Sequence, residues 1–423
     1  MNHYKEIIFV YDYETPNGPL FYGYDILDLP NIFLDNLEKK ESSVIDRYLD
    51  FSDYGKIEIH SFLLNSLIDY SKKYKSSNNK NTIIKFKSIN SIEFNSNDSL
   101  YIYLIESGYE VFQKQIIEET IKLTDISGSA KYHLKNDDNF FLWFIDVREG
   151  SYIIDEDVFK KINNFIEYND IPENKIWFSN GNNFLKNVTP EYFKGKTFPV
   201  NYYITIGSNL SNTDSNKNLL LAPTNSDLDI SIKRNFKFLS YNRNTSRMHR
   251  PYIVSKLWED GILKNSIVSL YENESYERYI NDEILEDHDF EGLKFNKSDI
   301  DRLKKFTKES YPLKLDHENQ KSAAIADNYL SDKSHFLDSY ISLICETSCH
   351  SELNFITEKC IRPMLGLHPF IVFGNPHTLK ILKEYGFKTF DSFIDESYDN
   401  EFDTNKRFEM AYNEVLKLNK LSK

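Results

Sequence analysis

Tyr340-Ile341-Ser342-Leu343-Ile344-Cys345-Glu346-Thr347-Ser348, then Asn354-Phe355-Ile356-Thr357-Glu358-Lys359, then Pro369-Phe370-Ile371-Val372-Phe373-Gly374-Asn375-Pro376, reads as strand, loop, helix, strand. Ile341, Leu343 and Cys345 are apolar at period two, and Ile344 adds the opposite face, so the first strand is expected to be buried on both sides. Thr357 is placed to cap a helix running to about Leu365, and 369–373 is a second apolar run. A βαβ unit of this kind sets its loops at the carboxyl edge of a parallel sheet, where open α/β sheets bind ligands. Glu346, Glu358 and Lys359 all fall there. Lys359 stands in a first helical turn, where the macrodipole disfavours a cation. That position gains a physical reason if an anion docks on the free N–H groups and the ammonium together.

Working outward, Phe236–Tyr241 opens the same alternation upstream. Its βα loop carries Arg243, Arg247, His249 and Arg250, and Pro251 leads into a helix to about Asp260, with Gly261 past its end. The N-terminal part alternates in the same way. Strands are expected at 6–12, 83–86, 100–105, 140–147 and 175–179, and helices at 31–75, 109–123 and 155–168. In the last helix Val158, Ile162, Phe165 and Ile166 form a core-facing stripe. The turn-rich 16–19 and the polar run 207–218 read as loop or linker. The division expected is 1–232, 233–400 and a final helix within 401–423, periodic over 404–420, with no internal repeat of sequence.

The three quoted blocks, in this order and at these spacings, resemble the donor-binding segment of the α-1,3-fucosyltransferase family of GT-B glycosyltransferases. That family's pattern is roughly Phe-Glu-Asn-Ser, then Tyr-(Ile/Val)-Thr-Glu-Lys, then Pro-(Val/Ile)-x-x-Gly-x-Pro. The likeness is close over 340–376 and loose over 235–400. This chain departs from the pattern at Thr347, where the family has Asn, and at Arg362-Pro363 inside the helix. The resemblance implies a GT-B fold, two Rossmann-like α/β domains facing a cleft, with a C-terminal helix packing back. It implies inverting, metal-independent transfer of a sugar from a nucleotide-diphosphate donor, a GDP-sugar first and a UDP-sugar next, with no other cofactor. Lys359 would meet the diphosphate and Glu358 the ribose hydroxyls. A basic residue after the donor domain's first strand would meet the phosphates, and Arg243 or Arg247 matches that place; at least one of Arg243, Arg247 and Arg250, left unordered, is expected to bind phosphate, a task suited to the guanidinium fork. Glu346 would act at the sugar or in positioning the donor loop; the plainer reading makes it a strand-end carboxylate tied to backbone N–H groups.

Several residues are weighed on chemistry alone. An inverting transfer needs a carboxylate to take the acceptor hydroxyl's proton. Glu106, following the strand 100–105, is the first choice, with Asp146 and Glu149 competing. Asp227-Leu228-Asp229 matches a short metal-binding pattern but follows a turn and not a strand, so it reads as a loop accident. Cys345, Cys349 and Cys360, with His350 and His368 nearby, lack the spacing of a zinc site.

Composition bounds the rest. A chain of 423 residues with 40% hydrophobic content supports two or three cored domains. A formal net charge of −14 argues against a partner bound mainly through a phosphate backbone, so the acceptor is expected to be a glycan, a protein or a small molecule. Three cysteines point to a reducing compartment. The N-terminus lacks a signal-peptide pattern and no run is long enough to span a bilayer, so a cytoplasmic protein is expected. The contrasting expectation is a non-catalytic nucleotide- or sugar-binding protein of the same fold.

Overall fold

The computed structural model describes residues 6–11, 83–89, 92, 94, 99–107, 126–146, 156–199, 231–281, 284–286, 288–315 and 333–421. The segments 16–19, 31–75, 109–123 and 207–218, together with Glu149, Asp227 and Asp229, lie outside the described residues. The chain divides into two compact units, Met1–Thr205 and Ile206–Lys423. The division thus falls before the polar run and not after it, as a cut at 232 would place it.

In the first unit the strands are β1 (Glu6–Tyr11), β2 (Ile83–Ser88), β3 (Ser99–Ser107), β4 (Phe140–Asp146), β5 (Ile176–Asn180) and β6 (Lys196–Pro199). The helices are α1 (Gly128–Asn136), α2 (Glu156–Asn169) and the short α3 (Leu185–Val188). The sheet order is β2-β1-β3-β4-β5-β6, and every neighbouring pair is parallel. Buried parallel strands read as continuous apolar runs, as Phe-Phe-Leu-Trp-Phe in β4 does. α2 buries Ile162, Phe165 and Ile166 as its stripe requires, with Phe159 alongside. Phe165 meets Phe144 edge-on at 5.3 Å and Phe159 meets Phe178 at 5.2 Å. β6 is an edge strand that the sequence reading leaves unassigned.

The chain leaves β1 toward β2 and then crosses to β3 on the other side. The carboxyl ends of β1 and β3 therefore flank this sheet's topological switch point. Glu106 does not follow its strand. It lies within β3, opposite Ile145, and Ser107 is opposite Asp146. The cause is the β4 ladder, which still offers partners after the last pairing to β1, Val10 with Tyr103.

The second unit holds β7 (Phe236–Asn242), β8 (Ser266–Leu270), β9 (Ser339–Cys345) and β10 (Phe370–Phe373). Its helices are α4 (His249–Glu259), α5 (Glu274–Asn281), α6 (Lys297–Ser310), α7 (Lys333–Asp338), α8 (Glu358–Leu365), α9 (Thr378–Glu384) and α10 (Thr404–Lys420). The strands are ordered β8-β7-β9-β10, all parallel. Ser342 to Cys345 and the whole of β10 are buried, so the doubly covered strand expected from 341–345 is present. Thr357 caps α8, its hydroxyl accepting the Lys359 N–H. α4 begins two residues before Pro251 and ends before Gly261, whose φ of +68° closes it in the left-handed region.

α10 starts on the Asp403 cap and buries Phe408, Ala411, Tyr412, Val415 and Leu418 along one stripe. Phe408 packs edge-on to Phe373 of β10 at 5.6 Å. Lys237 of β7 donates to the Asn419 carbonyl and, at 2.7 Å, to that of Leu421, meeting the negative end of the helix. This helix is part of the second unit's core and not a separate segment. Among the described residues no helix is long and apolar enough to cross a membrane.

Candidate functional site

β7 connects to β8 on one side and, later, to β9 on the other, so the carboxyl ends of β7 and β9 flank the second unit's switch point. Two segments about a hundred residues apart in sequence meet there. One is the 242–250 loop with the start of α4, and the other is the 346–357 loop with the start of α8.

Glu346 is the first residue past β9, and its N–H continues the ladder to the Phe373 carbonyl at 3.0 Å. Its side chain is buried. One carboxylate oxygen accepts the Thr357 N–H at 3.1 Å; the other accepts the Thr347 N–H at 2.9 Å and the Thr357 hydroxyl at 2.6 Å. The carboxylate therefore closes the 347–357 loop at both ends, which is the plainer of its two expected roles. Gly374 of the third sequence block permits this. A Cβ there would stand 2.9 Å from the Glu346 Cβ, so only glycine admits the approach.

The α4 side grips the same residue. His249 donates from Nε2 to the Glu346 carbonyl at 2.8 Å, and Arg250 Nη2 reaches that carbonyl at 3.3 Å. Burial, and Arg250 beside it, hold the His249 pKa well below the ordinary histidine value, so the ring is neutral with its proton on Nε2. Arg250 also donates to the Asn244 carbonyl at 2.8 Å and is buried. Its hydrogen bonds are thus to the backbone of the two loops. Arg243 is exposed. Arg247, between them, keeps about a fifth of its side chain in solvent and donates to the Thr347 carbonyl. The three arginines, unordered in the sequence, thus take three different environments.

Lys359 reaches Thr347 from the other direction. Its Nζ donates to the Thr347 hydroxyl at 2.9 Å, the Thr357 hydroxyl at 3.3 Å and Glu358 Oε1 at 2.8 Å. Burial raises the Glu358 pKa, but the Lys359 charge and hydrogen bond, with Arg362, outweigh it and leave the carboxyl below its usual value. The first-turn cation opposed by the helix dipole is thus paired to its own neighbour. Arg247 and Lys359 meet on one residue, one on its carbonyl and one on its hydroxyl, beside the N-terminus of an eight-residue helix. Both stay partly exposed. Two partly exposed cations thus converge beside the start of α8, whose first N–H groups are already engaged, that of Lys359 by the Thr357 hydroxyl at 3.3 Å and that of Cys360 by the Thr357 carbonyl at 3.2 Å.

Two residues at this site escape sequence reasoning. Glu291 adopts φ +60° before Gly292 at +83°. Its Oε2 accepts the Cys349 N–H at 2.8 Å and its Oε1 lies 3.6 Å from Arg247 Nη1. No periodicity or motif marks it. Arg407 of α10 is fully buried, and its guanidinium reaches the carbonyls of Gly374, Cys349, Glu401 and Phe402 and the Thr404 hydroxyl. A cation on the apolar stripe of 404–420 is the one signal that pointed to it.

Glu106 closes on the first unit's own switch point, at the penultimate position of β3. Cys345, Cys349 and Cys360 are free, buried thiols, and burial pushes Cys345 up to about 12. His368 instead joins Ser342, accepting its hydroxyl at Nδ1 (2.8 Å), and donates from Nε2 to the Ser339 carbonyl at 2.5 Å. Among the described residues no three His, Cys, Asp or Glu side chains are grouped to hold a metal. Set against known proteins, the chain matches no family model, no curated protein and no solved structure.

Proposed function

We propose that this protein is an inverting glycosyltransferase of GT-B type that takes a sugar from a nucleotide diphosphate. The reading rests on one observation: the arginine loop after β7 and the Thr-Glu-Lys turn of α8 converge on Thr347 at a switch point. In the reaction the acceptor hydroxyl oxygen attacks the anomeric carbon and the bond from that carbon to the diphosphate oxygen breaks. Negative charge develops on the departing diphosphate, and Arg247 and Lys359 are the cations offered to it. Glu358, once exchanged from Lys359 by the phosphate, is free to accept ribose hydroxyls. The acceptor proton passes to a carboxylate, and Glu106 is the candidate. A GDP-sugar is the first donor to try, GDP-fucose ahead of others, and a UDP-sugar the next; the acceptor is a glycan, protein or small-molecule hydroxyl.

The test is thermal stability against GDP, UDP, CMP and ADP, with and without EDTA. A ligand at a hundred times its dissociation constant adds about 2.7 kcal/mol. A shift with one nucleotide, indifferent to EDTA and abolished in Lys359→Ala, supports the site; no shift with any of them sinks it. Binding without sugar release from the matching donor, in the presence of simple glycan acceptors, favours a non-catalytic binding protein of the same fold.

A further inference from the structure

Glu291 is the one acidic side chain described above at this site that neither caps a loop alone nor belongs to a sequence block. It is held at a cost. A glutamate at φ +60° occupies backbone space that L-residues seldom visit, and such strain persists where the surroundings over-determine it. Three contacts do so. Its carboxylate takes the Cys349 N–H, its backbone carbonyl takes the Thr404 hydroxyl at 3.4 Å, and Gly292 behind it presses on Thr404, where a Cβ would lie 2.7 Å from Oγ1.

The two carboxylate oxygens have different surroundings. Oε2 is fixed on Cys349, two residues from Thr347. Oε1 stands 3.6 Å from Arg247, too far for a hydrogen bond, and about a third of the side chain is in solvent. An ionised carboxylate accepts and cannot donate. Beside the anion anchors, such a group repels a bare diphosphate and rewards a ligand that brings hydroxyls to it. A diphosphate seated on Arg247 and Lys359 carries its glycosyl group at its far end.

We infer that Glu291 is a specificity-determining residue: its Oε1, which pairs with Arg247 at 3.6 Å by charge without a hydrogen bond, accepts hydroxyl hydrogens of the sugar and so selects the loaded donor over the spent nucleotide. This inference rests on the nucleotide-sugar reading above. It also gives product release a cause, since loss of the sugar removes the hydroxyls and leaves the carboxylate facing phosphate.

The test is calorimetric titration of GDP against GDP-fucose and GDP-mannose, and of UDP against UDP-glucose, on wild type, Glu291→Gln and Glu291→Ala. Gln keeps an acceptor for the Cys349 N–H, so the fold survives where Ala could loosen it; each variant's melting temperature is the control. In wild type the nucleotide sugar is expected to bind about tenfold tighter than its diphosphate, the worth of one charge-assisted hydrogen bond. In Glu291→Gln that preference collapses while diphosphate affinity holds or rises. A wild type that binds diphosphate and sugar nucleotide equally overturns the inference and leaves the nucleotide site standing. A preference unchanged in Glu291→Gln, or both ligands tightening in equal measure, overturns it too. A wild type that binds none of these ligands removes the nucleotide-sugar reading, and this inference with it.

Discussion

Replacing Arg407 by methionine is the sharpest test of how the site is held. The guanidinium is fully buried, with Nε on the Gly374 carbonyl at 2.9 Å, Nη1 on Glu401 and Phe402 at 2.8 and 3.0 Å, and Nη2 on Cys349 at 2.6 Å. Methionine fills much of the volume and donates nothing, so the buried Gly374 carbonyl and the partly exposed Glu401 and Phe402 carbonyls lose this donor, while that of Cys349 keeps only the Thr404 hydroxyl at 3.2 Å. Each such orphan costs about 1–3 kcal/mol. The sum is reduced because the variant no longer desolvates a charge, and breaking one partner of a buried charged network typically costs about 3–5 kcal/mol in total. A unit of this size loses roughly 2–4 °C per kcal/mol, so the second unit's transition should fall by roughly 6–20 °C. Trp258 is the one tryptophan of that unit, so its fluorescence reports the transition once Trp143 and Trp177 are changed to Phe. Arg407→Lys, which restores charge without the planar fork, should recover less than half of the loss. A drop below about 1 kcal/mol for Arg407→Met would refute the claim that this network secures the 346–357 loop.

Three further outcomes are expected. Gly374→Ala forces a Cβ against Glu346, and should cost about 1–3 kcal/mol in a melt while weakening nucleotide-induced stabilisation. Thr357→Val removes the hydroxyl that serves Glu346 and the Lys359 N–H; the loss should be about 1–2 kcal/mol, and Thr357→Ser should restore most of it. Burial lowers the pKa of His249 well below 6.5 and that of His368 to about 4. With folded values below the unfolded one, the stability these rings lend is complete above pH 6.5 and is lost as pH falls. Each should cost roughly 1.4 kcal/mol per pH unit below that point, for His368 until about pH 4. Melting temperatures from pH 7.5 to 5 read this slope, and His368→Gln should flatten it. Glu358 follows at lower pH, its contribution persisting until the medium falls through its depressed pKa.

The elements around the site were legible because their signals are local. Thr357 before Glu358-Lys359 is a cap read from neighbours, and Thr404–Lys420 was bounded by its own stripe. Ser342–Cys345 declared itself by being apolar on both faces. What stayed illegible depends on partners far away in the chain. Glu346 was legible as a carboxylate tied to backbone N–H groups, but nothing near it says that His249 and Arg250, about a hundred residues away, hold its carbonyl. Glu291 lies in a polar stretch where only backbone geometry sets it apart. Glu106 was misplaced by a strand end, since the length of β3 is set by β4 and not by its own residues.

The two sheets wind alike. Starting from the first strand of each unit, the chain lays the second strand on one side, crosses to lay the third on the other, and adds the fourth beyond it: β2-β1-β3-β4 in one unit, β8-β7-β9-β10 in the other. No sequence similarity accompanies this, so the halves share a backbone path without sharing a composition. In each, the strand laid down after the crossing brings a glutamate to its carboxyl end, Glu106 in β3 and Glu346 just past β9. The second glutamate is consumed in bracing a loop. The same architectural position thus carries a glutamate in both sheets, and in the second that residue is spent on the loop that follows its strand.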